Sequence, residues 1–182
     1  MTLKSVAQGA ALFIAVVSLA FFIIFAVHAQ TPAHLVVKDY LVTGEGYLPF
    51  SSDANDHMAD VRLLINIFSV IAAASIVLAL WAACYADPKV FYWSGLVLIV
   101  LPLLLSLVPW EALFSSFHAL FFPQGNWQFP PDSLLIQTYP EGFFVMFAVF
   151  WGAFCLLSGV LLLVLSRIIP AWLPQKAAQA RH

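Results

Sequence analysis

Four apolar stretches constrain this chain more than anything else in it. A transmembrane helix takes about 20 apolar residues at 1.5 Å each, and each stretch is near that length. They run from about Gly9 to Val27, Leu63 to Ala86, Val90 to Trp110 and Phe143 to Ser166. A segment in hydrocarbon must satisfy its own backbone N–H and C=O groups, so each reads as a helix. Pro102 inside the third predicts a kink. Trp81, Tyr85, Tyr92, Trp93, Trp110 and Trp172 fall near the ends of the stretches, where an amphipathic ring suits the headgroup level. Of the 182 residues, 63% are hydrophobic and 9% charged. A soluble domain is roughly a quarter charged, so a water-soluble globule is excluded. The 7 Lys+Arg against 9 Asp+Glu leave no basic surface for nucleic acid. Cys84 and Cys155 lie inside apolar runs and read as small packing groups. The expected fold is an all-α integral membrane protein, a four-transmembrane-helix bundle making a single membrane domain over 1–182. Two long outer loops are expected to carry short helical or interfacial segments.

The connections set the topology. Only Asp87-Pro88-Lys89 separates the second and third stretches, a tight turn between antiparallel helices. Long loops, about 28–62 and 111–142, join the first pair and the last pair and so emerge on one side. Lys4, Lys89, Arg167, Lys176 and Arg181 fall on the other side, against Lys38 and Arg62 with the loops. The positive-inside rule then places both termini and the 167–182 tail in the cytoplasm, with the loops outside. The N-terminus also has the look of a signal peptide, with Val27-His28-Ala29 as a small-residue cleavage site. Its apolar run exceeds the usual roughly 7–15 residues of such signals, and a retained helix is the expectation.

Polar groups cluster in the two outer loops. The first cluster, Asp53 to Arg62, leads into the second stretch. A helix beginning near Asp53 or Asn55 would be capped by either side chain. His57 and Asp60, three residues apart, would then share a face, and the carboxylate would orient the imidazole. Equally, Asp53, Asp56 and Asp60 complement the positive end of a helix dipole, with His57 a passenger. The second cluster begins at Phe117-His118 and continues through Asn126-Trp127 to Tyr139-Pro140. It is too apolar for a solvated loop and too broken by Pro123, Pro130, Pro131 and Pro140 for a span. It reads as an interfacial segment packed on the bundle, in which His118 and Trp127 are either functional or an aromatic belt. The chain has no G-x-S-x-G elbow and no H-E-x-x-H. Gly44-Glu45-Gly46 is too weak for a phosphate site. His57, Asp60 and His118 lack a second close-spaced ligand pair, so no metal is expected. His34 and His182 have no supporting context.

At these clusters the sequence resembles the lipoprotein intramolecular transacylase family. The strings are His57-x-x-Asp60-Val61-Arg62, Phe117-His118-x-x-Phe121-Phe122, Trp127-x-Phe129-x-Pro131 and Leu135-Ile136-x-x-x-Pro140-x-x-Phe143-Phe144. The resemblance implies a bacterial cytoplasmic-membrane enzyme without a cofactor. Such an enzyme takes a diacylglyceryl lipoprotein, among membrane lipids, and moves its sn-2 acyl chain to the α-amine of the N-terminal cysteine. The product is a lyso-form lipoprotein. The family's two functional histidines correspond to His57 and His118, expected here to share acid and base roles. Asp60 is expected to orient His57. Arg62, Asn126, Trp127 or Tyr139 is expected to hold the ester oxygen or the peptide end. The rival classes are a non-enzymatic membrane partner or assembly factor, and a metal-dependent membrane lipid hydrolase.

Overall fold

The computed structural model describes residues 2–28, 32–83 and 87–168. Cys84, Tyr85, Trp172, Lys176, Arg181 and His182 lie outside the described residues, as do 169–182 of the expected tail. Among the described residues there are seven helices and no strand. They are α1 (Leu3–His28), α2 (Pro32–Thr43), α3 (Ser52–Ala83), α4 (Pro88–Leu105), α5 (Trp110–Phe121), α6 (Leu134–Thr138) and α7 (Glu141–Ile168). Four of them, α1, α3, α4 and α7, are long and apolar enough to cross a membrane. Their flanks stay apolar where nothing covers them: Val70 is 71% and Leu157 73% exposed. Hydrocarbon is the solvent such a surface requires. The protein is all-helical and membrane-integral, as its sequence predicts.

The 28–62 connection contains α2 and the first turns of α3, in keeping with the short helical segments expected of the outer loops. Pro32 opens α2, where its missing N–H costs nothing. The boundaries depart from expectation in two places. The cap of α3 is Ser51 rather than Asp53 or Asn55: the Ala54 N–H donates to Ser51 Oγ at 3.4 Å. Asn55 is thereby released, and its Nδ2 donates to the carbonyls of Leu48 and Phe50, at 3.4 Å each. The third span stops at Leu105 instead of Trp110. Pro109 has no N–H and disfavours helix in the residue before it, so the chain breaks and restarts as α5. Pro102 sits inside α4, one turn from its end. Asp87 caps α4 by accepting from the Lys89 N–H at 2.9 Å, with Pro88 in the first turn.

The chain divides into two compact units. Of the described residues, one comprises 2–21, 70–83, 87–106 and 151–168. Its core is Phe91, Leu98, Cys155 and Leu162, with Leu12, Phe13, Val16, Val17, Trp151 and Leu165 packed against it. Ser94 Oγ donates to the Gly9 carbonyl at 3.2 Å and Trp151 Nε1 to the Val17 carbonyl at 3.3 Å. Gly95 and Gly159 bring α4 and α7 into backbone contact, a small-residue approach typical of membrane helices.

The other unit comprises, of the described residues, 22–28, 32–69 and 107–150. Val37 and Leu41 of α2, Ala54 and Met58 of α3, and Leu48, Phe50 and Leu135 form its core. The four-residue spacing within each helix turns one face inward. His34, without context in the sequence, is buried here: its Nε2 donates to the Thr138 carbonyl at 3.0 Å and its ring stacks on Tyr139 at 4.9 Å.

A Cβ at Gly159 would stand 2.8 Å from the Gly95 oxygen, whereas one at Gly152 would meet nothing nearer than 3.8 Å. Gly159→Val is therefore expected to destabilise the protein by about 1–3 kcal/mol through overpacking. Gly152→Ala should leave thermal unfolding in detergent unchanged. Equal melting temperatures for the two variants would show that α4 and α7 do not meet at Gly159.

Candidate active site

Two helices of the second unit each present one histidine. His57 lies in the second turn of α3 and is 7% exposed. His118 lies in the last turn of α5, half-buried. Their rings are 6.2 Å apart between centroids and inclined by 28°. Aromatic side chains enclose them. Phe122 meets His57 edge-on at 4.7 Å and Phe129 approaches it at 5.6 Å. Phe114 and Trp127 flank His118 at 4.1 and 4.8 Å.

The tautomer of His118 follows from its partner. Nδ1 lies 2.8 Å from the Phe114 carbonyl, which only accepts, so Nδ1 carries the proton. In the neutral ring, Nε2 then holds the lone pair. Burial lowers the His118 pKa below its ordinary value of 6.5, with the Phe114 carbonyl pulling weakly the other way. The ring is a neutral base at physiological pH.

Asp60 shares the His57 face of α3, yet its recorded hydrogen bonds go elsewhere. Gln124 Nε2 and Asn126 Nδ2 both donate to Asp60 Oδ2, at 2.7 and 2.8 Å. The carboxylate thus clamps the irregular 122–133 segment to α3, and it reaches His57 through space rather than by a direct bond. Trp127 is carried on the clamped segment. The geometry brings together His57, His118, Asp60, Asn126 and Trp127.

Arg62 and Tyr139 are placed differently. The Arg62 guanidinium rests on Gly44, where a Cβ would collide with it. Gly44 also has φ +78°, a conformation that favours glycine. Tyr139 stacks on His34 and meets Phe143 edge-on at 5.1 Å. Burial pushes its phenol up to about 12, so it stays a hydroxyl. Among the described residues no three His, Cys, Asp or Glu side chains converge as a metal-ligand group. An open cleft of about 560 Å³ runs alongside Asn126 and is lined also by Ser51, Asp53, Gln128, Asp132 and Ser133.

Gln124 and the Phe114 carbonyl escaped the sequence reading. Phe114 is one helical turn before His118, so its contact is a consequence of α5 being a helix. Gln124 meets Asp60 across 64 residues and has no local signal.

The family model described as "Lipoprotein intramolecular transacylase Lit" matches residues 25–144 of the 182, a stretch that includes both histidines. The chain belongs to that family. Its fold is similar to that of the membrane-integral lipoprotein intramolecular transacylase Lit from Bacillus cereus, with a TM-score of 0.76, 22% identity and 97% of each chain covered. A histidine-to-arginine variant of that protein gives 0.71 at 21% identity, covering 98% of this chain and 93% of the other. A histidine-to-alanine variant gives 0.70 at 22%, covering 97% and 94%. No curated protein matches the chain. As a member of a transacylase family the protein is an enzyme, and the resemblance read from its two polar clusters is the correct one.

The clamp of this transacylase is testable by itself. Asp60→Ala removes the acceptor of two hydrogen bonds to a charged group. Amide hydrogen exchange across 122–129 is expected to rise by about tenfold or more. Unchanged protection there would show that the segment holds its place without Asp60.

Proposed function

We propose that this transacylase moves the sn-2 acyl chain of a diacylglyceryl lipoprotein to the α-amine of the lipoprotein's N-terminal cysteine, with His57 and His118 as acid and base. The reading is carried by one observation: two imidazoles from different helices lie 6.2 Å apart in an aromatic enclosure. Histidine suits the task, because an α-amine with pKa about 7.7–8.0 needs only a base working near neutrality.

One imidazole takes a proton from the substrate ammonium. The amine nitrogen attacks the carbonyl carbon of the sn-2 ester, and the carbonyl electron pair moves onto oxygen. As the tetrahedral intermediate collapses, the bond from carbonyl carbon to glycerol oxygen breaks. The first proton passes on to water, and the nitrogen made cationic by attack gives its second proton to an imidazole. That imidazolium delivers it to the departing glycerol oxygen, leaving an amide and a glycerol hydroxyl. Mass is conserved, and no protein nucleophile takes part. Donor and acceptor sit on one molecule, so holding them in register supplies several of the kcal/mol needed. Of the four side chains expected to hold the ester oxygen or the peptide end, Asn126 and Trp127 stand beside the histidines and are available for it, whereas Arg62 and Tyr139 are engaged elsewhere. The open cleft beside Asn126 offers the polypeptide a route to water. The basic-residue count supports both termini in the cytoplasm of a bacterial inner membrane, with the histidines facing the outer leaflet, where the substrate resides.

A diacylglyceryl lipopeptide, read by fragmentation mass spectrometry, tests this. One acyl chain should move to the N-terminus without change of total mass. His57→Ala and His118→Ala should each lower the rate by about 10²–10⁴-fold. Full activity in both variants would end the proposal.

The pH profile gives a second check. A base works unprotonated, and burial holds His118 below 6.5, so its acid limb in kcat/KM should lie below pH 6.5. Trp127→Ala opens the ring to water and should move that limb upward, toward 6.5. No movement would mean that His118 does not titrate in that limb.

A further inference from the structure

The Asp60 clamp fixes more than a loop. An ionised carboxylate has no proton to give, so the Asn126 amide must turn its NH₂ toward Asp60, and Nδ2 donates to Oδ2 at 2.8 Å. That commits the other end of the amide. Asn126 Oδ1 is buried and makes no hydrogen bond, and the same is true of His57 Nδ1. Asn126 is also the amide whose side chain acts on the His57 ring. Nearly all buried polar atoms in proteins are paired, and an amide oxygen and a ring nitrogen that each lack a partner satisfy one another only when the nitrogen carries the hydrogen. The ring nitrogen must carry the hydrogen.

We infer that Asn126 is a positioning residue: held by Asp60, it presents Oδ1 to His57 Nδ1–H and thereby fixes His57 as the tautomer whose lone pair is on Nε2. The inference rests on the acid and base roles proposed above, and it replaces a substrate-holding role for Asn126. It also gives the two histidines a common design. His118 is set as the Nδ1–H tautomer by a backbone carbonyl, His57 by a side-chain carbonyl. Both then offer the same nitrogen, Nε2, to the reacting atoms. Asp60 sets the orientation of His57 through a neutral amide, while its charge acts on the ring only through space.

The tautomer is observable without turnover. Nitrogen NMR of the ¹⁵N-histidine-labelled protein in detergent should show His57 protonated on Nδ1 and unprotonated on Nε2 above its titration. Asn126→Ala and Asp60→Asn should both mix the tautomers. Gln124→Ala, which removes the other amide on the same carboxylate oxygen, should preserve the single form. In the lipopeptide assay, Asn126→Ala should lower kcat by about 10- to 100-fold, with KM within about twofold. Three results would overturn the inference: a wild-type His57 protonated on Nε2, a single tautomer that survives Asn126→Ala, or a raised KM at constant kcat. If the wild type turns over no lipopeptide yet shows the Nδ1–H form, the reaction reading fails and the positioning stands. Should Asn126→Ala not fold, the wild-type spectrum and Asp60→Asn decide.

Discussion

The 122–133 segment has almost no backbone ladder to hold it. No helix lies between Phe121 and Leu134, and Pro123, Pro130 and Pro131 withdraw three donors. Its internal backbone bonds are isolated turns, such as Gly125 to the Phe122 carbonyl and Ser133 to the Pro130 carbonyl. Order must therefore come from side chains. Asp60 supplies it at one end by accepting from Gln124 and Asn126. Phe122, 2% exposed, and Phe129, packed on the core of its unit, supply it elsewhere. One carboxylate thus determines where Asn126 and Trp127 stand, and the surroundings of both histidines follow from that.

The enclosure explains why imidazoles occupy this place. Burying a permanent charge is costly unless it is paired, and a neutral polar group is far cheaper to bury. An imidazole can rest neutral among Phe114, Phe122, Phe129 and Trp127 and still accept a proton when substrate arrives. The rings lie 6.2 Å apart, so a proton on one disfavours a second on the other. A pair that takes up at most one proton beyond its two neutral rings is suited to passing that proton between an amine and an alkoxide. Trp127, 4.8 Å from His118, also presents an aromatic face that steadies an imidazolium during its brief existence.

The spans were legible because hydrocarbon thickness imposes a length and an unbroken apolar character that nothing else in the chain imitates. Their ends were less so. Ser51 took the cap expected of Asp53 or Asn55, because a hydroxyl and a carboxylate serve the same orphan N–H equally well. Helix α2 was hidden by its mixture of His34, Lys38 and Asp39 with apolar residues, and its inward face is only Val37 and Leu41. His57 and His118 stood out by residue type, but spacing alone left them balanced against a passenger and an aromatic anchor. What joins them is a contact between α3 and α5, about 60 residues apart in sequence. The partners of Asp60 were beyond reach for the same reason. Periodicity reports which face of a helix is apolar; it does not report which distant loop brings an amide to that face.

Arg62 shows how the local arrangement protects that carboxylate. It is the nearest cation in sequence to Asp60, and an ion pair between them would occupy the acceptor that Gln124 and Asn126 use. Two residues along an α-helix turn the side-chain direction by about 200°, so the two groups leave α3 on opposite faces. Arg62 instead finds room over Gly44, where the absence of a Cβ leaves space for the guanidinium. The chain can adopt φ +78° there without strain because the residue is glycine. The glycine at the end of α2 therefore has a consequence on the far side of α3. It gives the arginine a resting place away from Asp60, and the carboxylate stays available to the amides that position the site.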